Sequence, residues 1–365
     1  MKQWLETRQV LDELAALHTE GVHAALATVV RVNGSAYRHE GAKLLVSVDE
    51  RSVGNVSGGC LEADVREVAQ RVIATGIAEQ RSYCGGSDEI SAWDLGVGCD
   101  GEVEILIEPV TTARDAERTA IAAEEAFIAV TRIDTVATGE RERIVFTTAA
   151  AIGTLGDDAL DTEVRRHAAS WAERGESHLR DVDGVALFVD VMVPPPRLVV
   201  VSAGDDARVL ARLASEVGFR VVTVDRRPGL LTPDRFPAAV RLVESEAARL
   251  NERLVLDASS FAVVMTHDFA DDTEYLRALL RTPARYIGVL GPRQRTERML
   301  SRLSAESGDG SLDKARIYGP VGLDIGTDGA EQVALAVIAE LLAVRSGRQP
   351  QSLRDRRAPI HASGT

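Results

Sequence analysis

The sequence predicts an α/β protein in two parts, an N-terminal α+β domain followed by a C-terminal Rossmann-like domain with a doubly wound parallel sheet. Three observations carry this. Past Pro194-Pro195-Pro196, strand and helix patterns alternate, as a parallel sheet with crossover helices requires. Ahead of the prolines, several strand patterns occur without regular alternation. The proline run itself fits neither a central strand nor a helix interior, and the fresh strand "RLVVVSAG" follows it directly. The expected boundaries are 1–193 for the first domain, 194–345 for the second, and a flexible tail over 346–365, rich in Arg, Ser, Gln and Pro. With 365 residues, 45% of them hydrophobic, there is material for two cores. No internal repeat is evident.

Residues 1–18 place Trp4, Leu5, Val10, Leu11, Leu14 and Leu17 at helical spacing, broken by charges, and read as a surface helix rather than a signal peptide. "AALATVVRV", "AKLLVSV" and "EVEILIEP" read as strands, with turns at Asn33-Gly34-Ser35 and Asp49-Glu50-Arg51. "SVGNV" is a short strand, and helices are expected over 61–74, about 113–129 and, more weakly, 162–174, before "GVALFVDVMV" closes the domain as a strand. In the second domain the expected strands are 198–201, 220–224, 262–266 and 286–290, and the expected helices 205–217, 271–280, 294–303 and 328–344.

Composition excludes several classes. A net charge of −14, with no basic stripe carrying interleaved aromatics, argues against nucleic acid as a partner. No run approaches the roughly 18 apolar residues of a membrane span, so no membrane partner and a cytoplasmic address are expected. Cys60, Cys84 and Cys99 are too few for a disulfide scaffold and form no C-x-x-C pair, which points to reduced thiols. A homodimer is expected only from how common such assemblies are.

The first candidate site is "GNVSGGCLEADVREVAQRV". Here Ser57-Gly58-Gly59 form a turn, and Leu61, Val65, Val68, Ala69 and Val72 make the apolar stripe of the following helix. Cys60 falls at the helix start, where free N–H groups and the positive end of the helix dipole favour a thiolate. Gly58 and Gly59 let another backbone or a flat ligand come close. The competing reading is a small buried hydrophobe in a tight turn. Cys99, in "LGVGCDGEVEILIEP", sits in a second glycine-rich turn, while Cys84 reads as a bystander.

In the second domain "VVVSAGDDARVLARLA" follows a strand and opens a helix, and Asp225 ends the next strand at the spacing of a dinucleotide fingerprint. Gly204 and Ala207 fit that fingerprint. Ser202 replaces its first glycine, and Asp205 and Asp206 bring negative charge to the place of a pyrophosphate. NAD(P) binding through Gly204 and Asp225 therefore stands beside a Rossmann scaffold without its usual cofactor. Thr266, His267 and Asp268 gather at one strand end, and Arg293, Arg295 and Arg298 follow another, where arginines grip phosphate or form a solvated helix face. An Asp in the place of Asp268 is ordinarily a helix cap.

Together, "GSAYRHEGAKLLV", "GNVSGGCLE", "LGVGCDGEVEILIEP", "LFVDVMVPPPRLVVVSAG", "VDRRPGLLTPDRFP", "VVMTHDFADDTEYLRALL", "ARYIGVLGPRQRTERML" and "GPVGLDIGTDGAEQVALAVIAELL" resemble, in this order, the xanthine dehydrogenase accessory factors of the XdhC/CoxI family. The resemblance runs over about residues 15–345. It implies a carrier rather than a catalyst, a chaperone that binds molybdenum cofactor (molybdopterin) and delivers it, after sulfuration helped by a cysteine desulfurase, to a molybdenum hydroxylase such as xanthine dehydrogenase or carbon monoxide dehydrogenase. Cys60 matches the family's Gly-Gly-Cys motif, as a molybdenum ligand or sulfur carrier, and Cys99 its second cysteine motif. The phosphate of a pterin would meet the arginines and helix N-termini of the second domain. Three departures stand out: Tyr37 where the family usually has proline, Asp100-Gly101 after Cys99 where it usually has two glycines, and the Ser202, Asp205, Asp206 loop. Asp100 discourages a thiolate at Cys99, which leaves Cys60 as the stronger candidate. Two other classes remain in view. One is an NAD(P)-dependent oxidoreductase, the other a sulfurtransferase on Cys60, for which His39 and His267 qualify as bases by residue type alone.

Overall fold

The computed structural model describes residues 2–34, 36–84, 102–134, 138–236, 241–307 and 313–356. Two compact units separate between Pro194 and Pro195.

In the first unit, α1 (Lys2–Glu20) precedes β1 (Ala24–Asn33), β2 (Lys43–Ser47), β3 (Ser52–Gly54), α2 (Glu62–Thr75), β4 (Glu79–Cys84) and β5 (Glu102–Val110). Then come α3 (Asp115–Ala122), β6 (Phe127–Arg132), β7 (Arg143–Phe146), β8 (Ala151–Thr154), α4 (Asp158–Arg174), β9 (His178–Val182) and β10 (Val185–Met192). These strands build two five-stranded sheets, ordered β3-β2-β1-β5-β4 and β8-β7-β6-β10-β9. Every pairing in both is antiparallel. The strand order of the second sheet repeats that of the first, a repeat that the sequence does not advertise.

Two expectations are corrected here. The helix expected over 113–129 ends at Ala122, Glu124 takes a positive φ of 57°, and Phe127 to Arg132 form the central strand β6. A continuous buried run such as "FIAVT" reads equally as helix or strand until length and neighbours decide. The strand expected over "SVGNV" is limited to Ser52–Gly54.

Charges are buried where the residues of the two sheets meet. Lys43 of β2 donates to Asp190 of β10 at 2.6 Å and to the Gly41 carbonyl at 2.9 Å. Glu108 of β5 receives Arg114 at 2.7 Å, Arg143 of β7 at 3.1 Å and the Arg141 amide at 3.1 Å. Arg143 also reaches Glu117 at 3.3 Å. Burial alone would raise the Glu108 carboxyl, but Arg114 and Arg143 outweigh it and hold the group below its ordinary range. A cavity of about 20 Å³ among these side chains has room for a single water.

The second unit contains β11 (Arg197–Val201), α5 (Asp205–Glu216), β12 (Arg220–Asp225), β13 (Arg241–Glu244), the short α6 (Leu250–Arg253) and β14 (Phe261–Val264). It continues with α7 (Phe269–Leu280), β15 (Tyr286–Val289), α8 (Arg293–Ser307), β16 (Ile317–Tyr318) and α9 (Ala330–Ser346). All six strands run parallel in the order β13-β12-β11-β14-β15-β16, the Rossmann arrangement. One core, with Leu198, Leu210, Phe261 and Leu341, joins α5 and α9 to the sheet. The other, with Val199, Leu276 and Met299, joins α7 and α8 to it. Residues i and i+1 of β11 thus point into opposite cores, which is why its sequence is apolar throughout. Asp268 caps α7, accepting from the amides of Ala270 and Asp271 at 2.8 and 2.9 Å.

Replacing Asp190 with Ala leaves the Lys43 ammonium buried without a countercharge among the described residues, held by the Gly41 carbonyl alone. The expected cost is about 3–5 kcal/mol, whereas joint replacement of Lys43 by Met and Asp190 by Leu costs far less. Urea unfolding of the three chains checks this, and equal losses would show that the pair is not the source.

Candidate functional site

The Gly58-Gly59-Cys60 turn lies between β3 and α2. Cys60 is a half-buried free thiol, and among the described residues its sulfur has no hydrogen-bond partner. It stands two residues ahead of the helix rather than on its first turn, because α2 begins at Glu62. Gly59 adopts φ +117°, a conformation that L side chains rarely take, and a Cβ there would meet nothing within 4 Å. At Gly58 a Cβ would sit 3.3 Å from the ring of Tyr37, which is itself 63% exposed. A bare turn, a free thiol and an exposed aromatic ring are thereby neighbours.

Two residues hold the turn: Ser57, which the sequence places in it without a role, and Glu62, which sequence reasoning missed. Ser57 Oγ donates to Glu62 Oε2 at 2.5 Å and accepts from the amides of Gly59 and Leu61, both at 3.1 Å. The other oxygen of Glu62 takes the amides of Ser57 at 2.8 Å and Val56 at 3.3 Å. Burial pushes the Glu62 carboxyl up, but the Ser57 hydroxyl and these amides prevail and hold it below its usual 4.5. An acidic residue in the first turn after Ser-Gly-Gly was the available signal, at a spacing longer than that of a capping box.

Cys84 is exposed at the end of β4, 3.7 Å from Glu102 on the facing strand. Cys99 and Asp100 lie outside the described residues. No cluster of three His, Cys, Asp or Glu side chains suited to a metal ion occurs among the described residues.

The ends of β11 and β12 bring Ser202, Gly204 and Asp225 together. Asp225, 4% exposed, is fully engaged: Oδ1 accepts from Arg227 N and Nε, each at 2.9 Å, and Oδ2 from Arg227 Nη2 at 2.8 Å and Ala203 N at 2.7 Å. Burial would raise this carboxyl, yet the bonds from Arg227 and Ala203 keep it low. Ser202 Oγ accepts the Gly204 amide at 3.0 Å. The amides of Ala203 and Gly204, and the carboxylate that greets a ribose in an intact fingerprint, are satisfied from within.

His267, at φ +66°, faces Asp206 with 3.3 Å between Nε2 and Oδ2. Asp205 is tied to Arg208 at 3.2 Å and Arg235 at 3.1 Å. Arg295 is bound at 2.7 Å to the buried Asp272, which also accepts from Thr266 Oγ1 at 2.5 Å. Arg293, 81% exposed, pairs with Glu297 along α8. Thr266 and Arg295 therefore converge through Asp272, while Arg293 stands apart on the helix surface.

Fold and site together define a class: proteins that carry, in one chain, an antiparallel unit with a cysteine turn and a Rossmann sheet whose ribose-position carboxylate is bound by its own chain. The family models agree. Residues 17–83 match the XdhC and CoxI family, and residues 198–341 match the XdhC Rossmann domain. The chain is 32% identical to a Bacillus subtilis protein named as a probable xanthine dehydrogenase subunit, covering 91% of this chain and 96% of that one. It is 25% identical to the molybdenum cofactor insertion chaperone PaoD of Escherichia coli, over 91% and 86% of the two chains. A crystal structure named as a xanthine dehydrogenase of Bacillus halodurans superposes with a TM-score of 0.75 at 29% identity, covering 93% of this chain and 96% of that one. The chain belongs to the XdhC and CoxI family. No helix among the described residues is long and apolar enough to cross a membrane.

Because the folded carboxyl of Glu62 is depressed, its contribution is present above about pH 4.5 and is lost as pH falls through the lowered value. Glu62→Gln is expected to cost about 1–3 kcal/mol at neutral pH, because the amide keeps an oxygen for the Val56 and Ser57 N–H groups but presents an NH2 to the buried Ser57 hydroxyl in place of its acceptor. The gap between wild-type and variant melting temperatures should close toward pH 3. A gap independent of pH would remove the carboxylate from this role.

Proposed function

We propose that this chain binds molybdenum cofactor through the Cys60 turn and passes it to a molybdenum hydroxylase of the xanthine dehydrogenase or carbon monoxide dehydrogenase type. The observation that carries the reading is the free Cys60 thiol, unbonded in a side-chain-free turn. A thiolate is a soft ligand suited to molybdenum, and the absence of a Cβ at Gly58 and Gly59 lets a rigid ligand reach it. Membership of the XdhC and CoxI family, and likeness to a protein named as a molybdenum cofactor insertion chaperone, support the cargo.

The rest of the reading follows the same cargo. Sulfuration of the held cofactor with a cysteine desulfurase precedes delivery, Cys99 contributes from the second cysteine motif, and the work is done in the cytoplasm. An NAD(P) oxidoreductase is disfavoured, because Asp225 has its acceptors filled by Arg227 and Ala203. A sulfurtransferase needs a base at the thiol, and no hydrogen bond to the sulfur occurs among the described residues.

Protein purified without oxygen from cells that make the cofactor should carry molybdenum and pterin near one equivalent per chain, and Cys60→Ala should lose at least nine-tenths of both. Metal analysis and pterin fluorescence read the two quantities separately. Absence of both from the wild-type chain would overturn the carrier reading.

A further inference from the structure

The two sheets of the first unit agree beyond strand order. In the first, Thr28 of β1 faces Lys43 and Leu26 faces Glu108; in the second, Thr131 of β6 faces Arg143 and Ala129 faces Asp190. A cation and a carboxylate thus occupy equivalent places in each, and they pair crosswise, Lys43 with Asp190 and Arg143 with Glu108. Gly54 and Gly153 both hold positive φ, 91° and 101°, and at both a Cβ would strike the carbonyl of the partner strand, at Lys43 and Arg143 respectively. Gly76 and Gly175 end α2 and α4 in the same left-handed cap, at φ 68° and 71°. Each glycine of the second half stands 99 residues after its counterpart. In that frame the Val56 amide bonded to Glu62 matches the Leu155 amide bonded to Asp161, and Leu61 and Val65 match the buried Leu160 and Val164.

The frame sets Gly58, Gly59 and Cys60 against Asp157, Asp158 and Ala159. In the second half Asp157 caps the helix, accepting from Ala159 and Leu160 at 2.8 and 3.0 Å, and α4 begins at Asp158. In the first half the equivalent turn is unwound: α2 starts at Glu62, and Gly59 at φ +117° lies outside the helical region. The cap has moved back to Ser57, whose hydroxyl takes the amide of Leu61, the equivalent of Leu160. The Cys60 amide, equivalent to that of Ala159, has no acceptor among the described residues.

We infer that the first unit is an internal duplication, and that Ser57, clamped by Glu62, is the positioning residue that keeps one helical turn unwound so that the Cys60 thiol and amide are presented together. The functional side of this rests on the reading of Cys60 given above. A donor already bound to a cap cannot greet an anionic ligand, so the copy that keeps Asp157 is closed and the copy that lost it is open. The duplicated unit thereby contains its own inactive counterpart.

The test rebuilds the second half's turn in the first. Gly58→Asn combined with Gly59→Ala restores a capping side chain without adding charge, and removes the residue that permits positive φ. In cofactor-free protein the variant should gain amide protection at Cys60 in hydrogen exchange, and Leu61, already bonded, should keep its own. Its thiol should react with iodoacetamide at least tenfold more slowly. Unchanged exchange and alkylation in a folded variant would overturn the inference. Ser57→Ala should lose protection at the Gly59 and Leu61 amides and change the alkylation rate of Cys60, and Ser57→Thr should restore both; loss of stability without any change at Cys60 would also overturn it. Cofactor content is read separately. Slowed alkylation with metal and pterin retained supports the positioning role while refuting Cys60 as the cofactor contact, and slowed alkylation with both lost supports the two together.

Discussion

Buried charge fixes the first unit. An ammonium or carboxylate removed from water is tolerated only against an opposite charge with good geometry, so the Lys43–Asp190 and Arg143–Glu108 pairs admit one arrangement of β2, β5, β7 and β10. A slip of one residue in any of these strands would turn its charged side chain to the other face of the sheet and leave its partner unpaired. The location of the Cys60 turn follows from this. Gly54 ends β3 against the Lys43 carbonyl, where no side chain fits, and the chain then has only the segment from Asn55 to Leu61 in which to reach the start of α2.

What the sequence discloses follows from which interactions are local. The alternation of the second unit is legible because buried parallel strands such as "RLVVV" are apolar on both faces and are punctuated by helices with their own caps. Strands β4, β8 and β9 are not legible, since "EQRSYC", "AIGT" and "HLRDV" are mostly exposed or half-buried edge segments that carry no alternation. Strand β6 reads as the end of a helix because its apolar run has no period of its own. The repeat is hidden for a related reason: what the halves share is scattered, two glycines, a few apolar positions, a buried cation and carboxylate, and a second carboxylate that braces a turn.

At the candidate site the bare residues are readable and their supports are not. Gly58-Gly59-Cys60 ahead of an apolar stripe announces a turn into a helix, yet whether the thiol belongs to that helix depends on a hydroxyl and a carboxylate that meet only in the folded chain. The same holds for Asp225. Its spacing from Gly204 marks it as a ribose acceptor, and only the structure reveals that Arg227, two residues on, turns back and occupies both of its oxygens.

A loop that waits for an anion must leave its donors idle when empty, and the loops of this chain differ on that count. After β11 the amides of Ala203 and Gly204 are spent on Asp225 and Ser202. After β8 the amides of Ala159 and Leu160 are spent on Asp157. After β3 the amides of Gly59 and Leu61 are satisfied by a single retracted hydroxyl, and the Cys60 amide between them is left without an acceptor among the described residues. Leaving a helix end uncapped costs stability, typically about 1 kcal/mol. Here the amide without an acceptor and the free thiol belong to the same residue, and that coincidence is the physical ground for placing the binding function there.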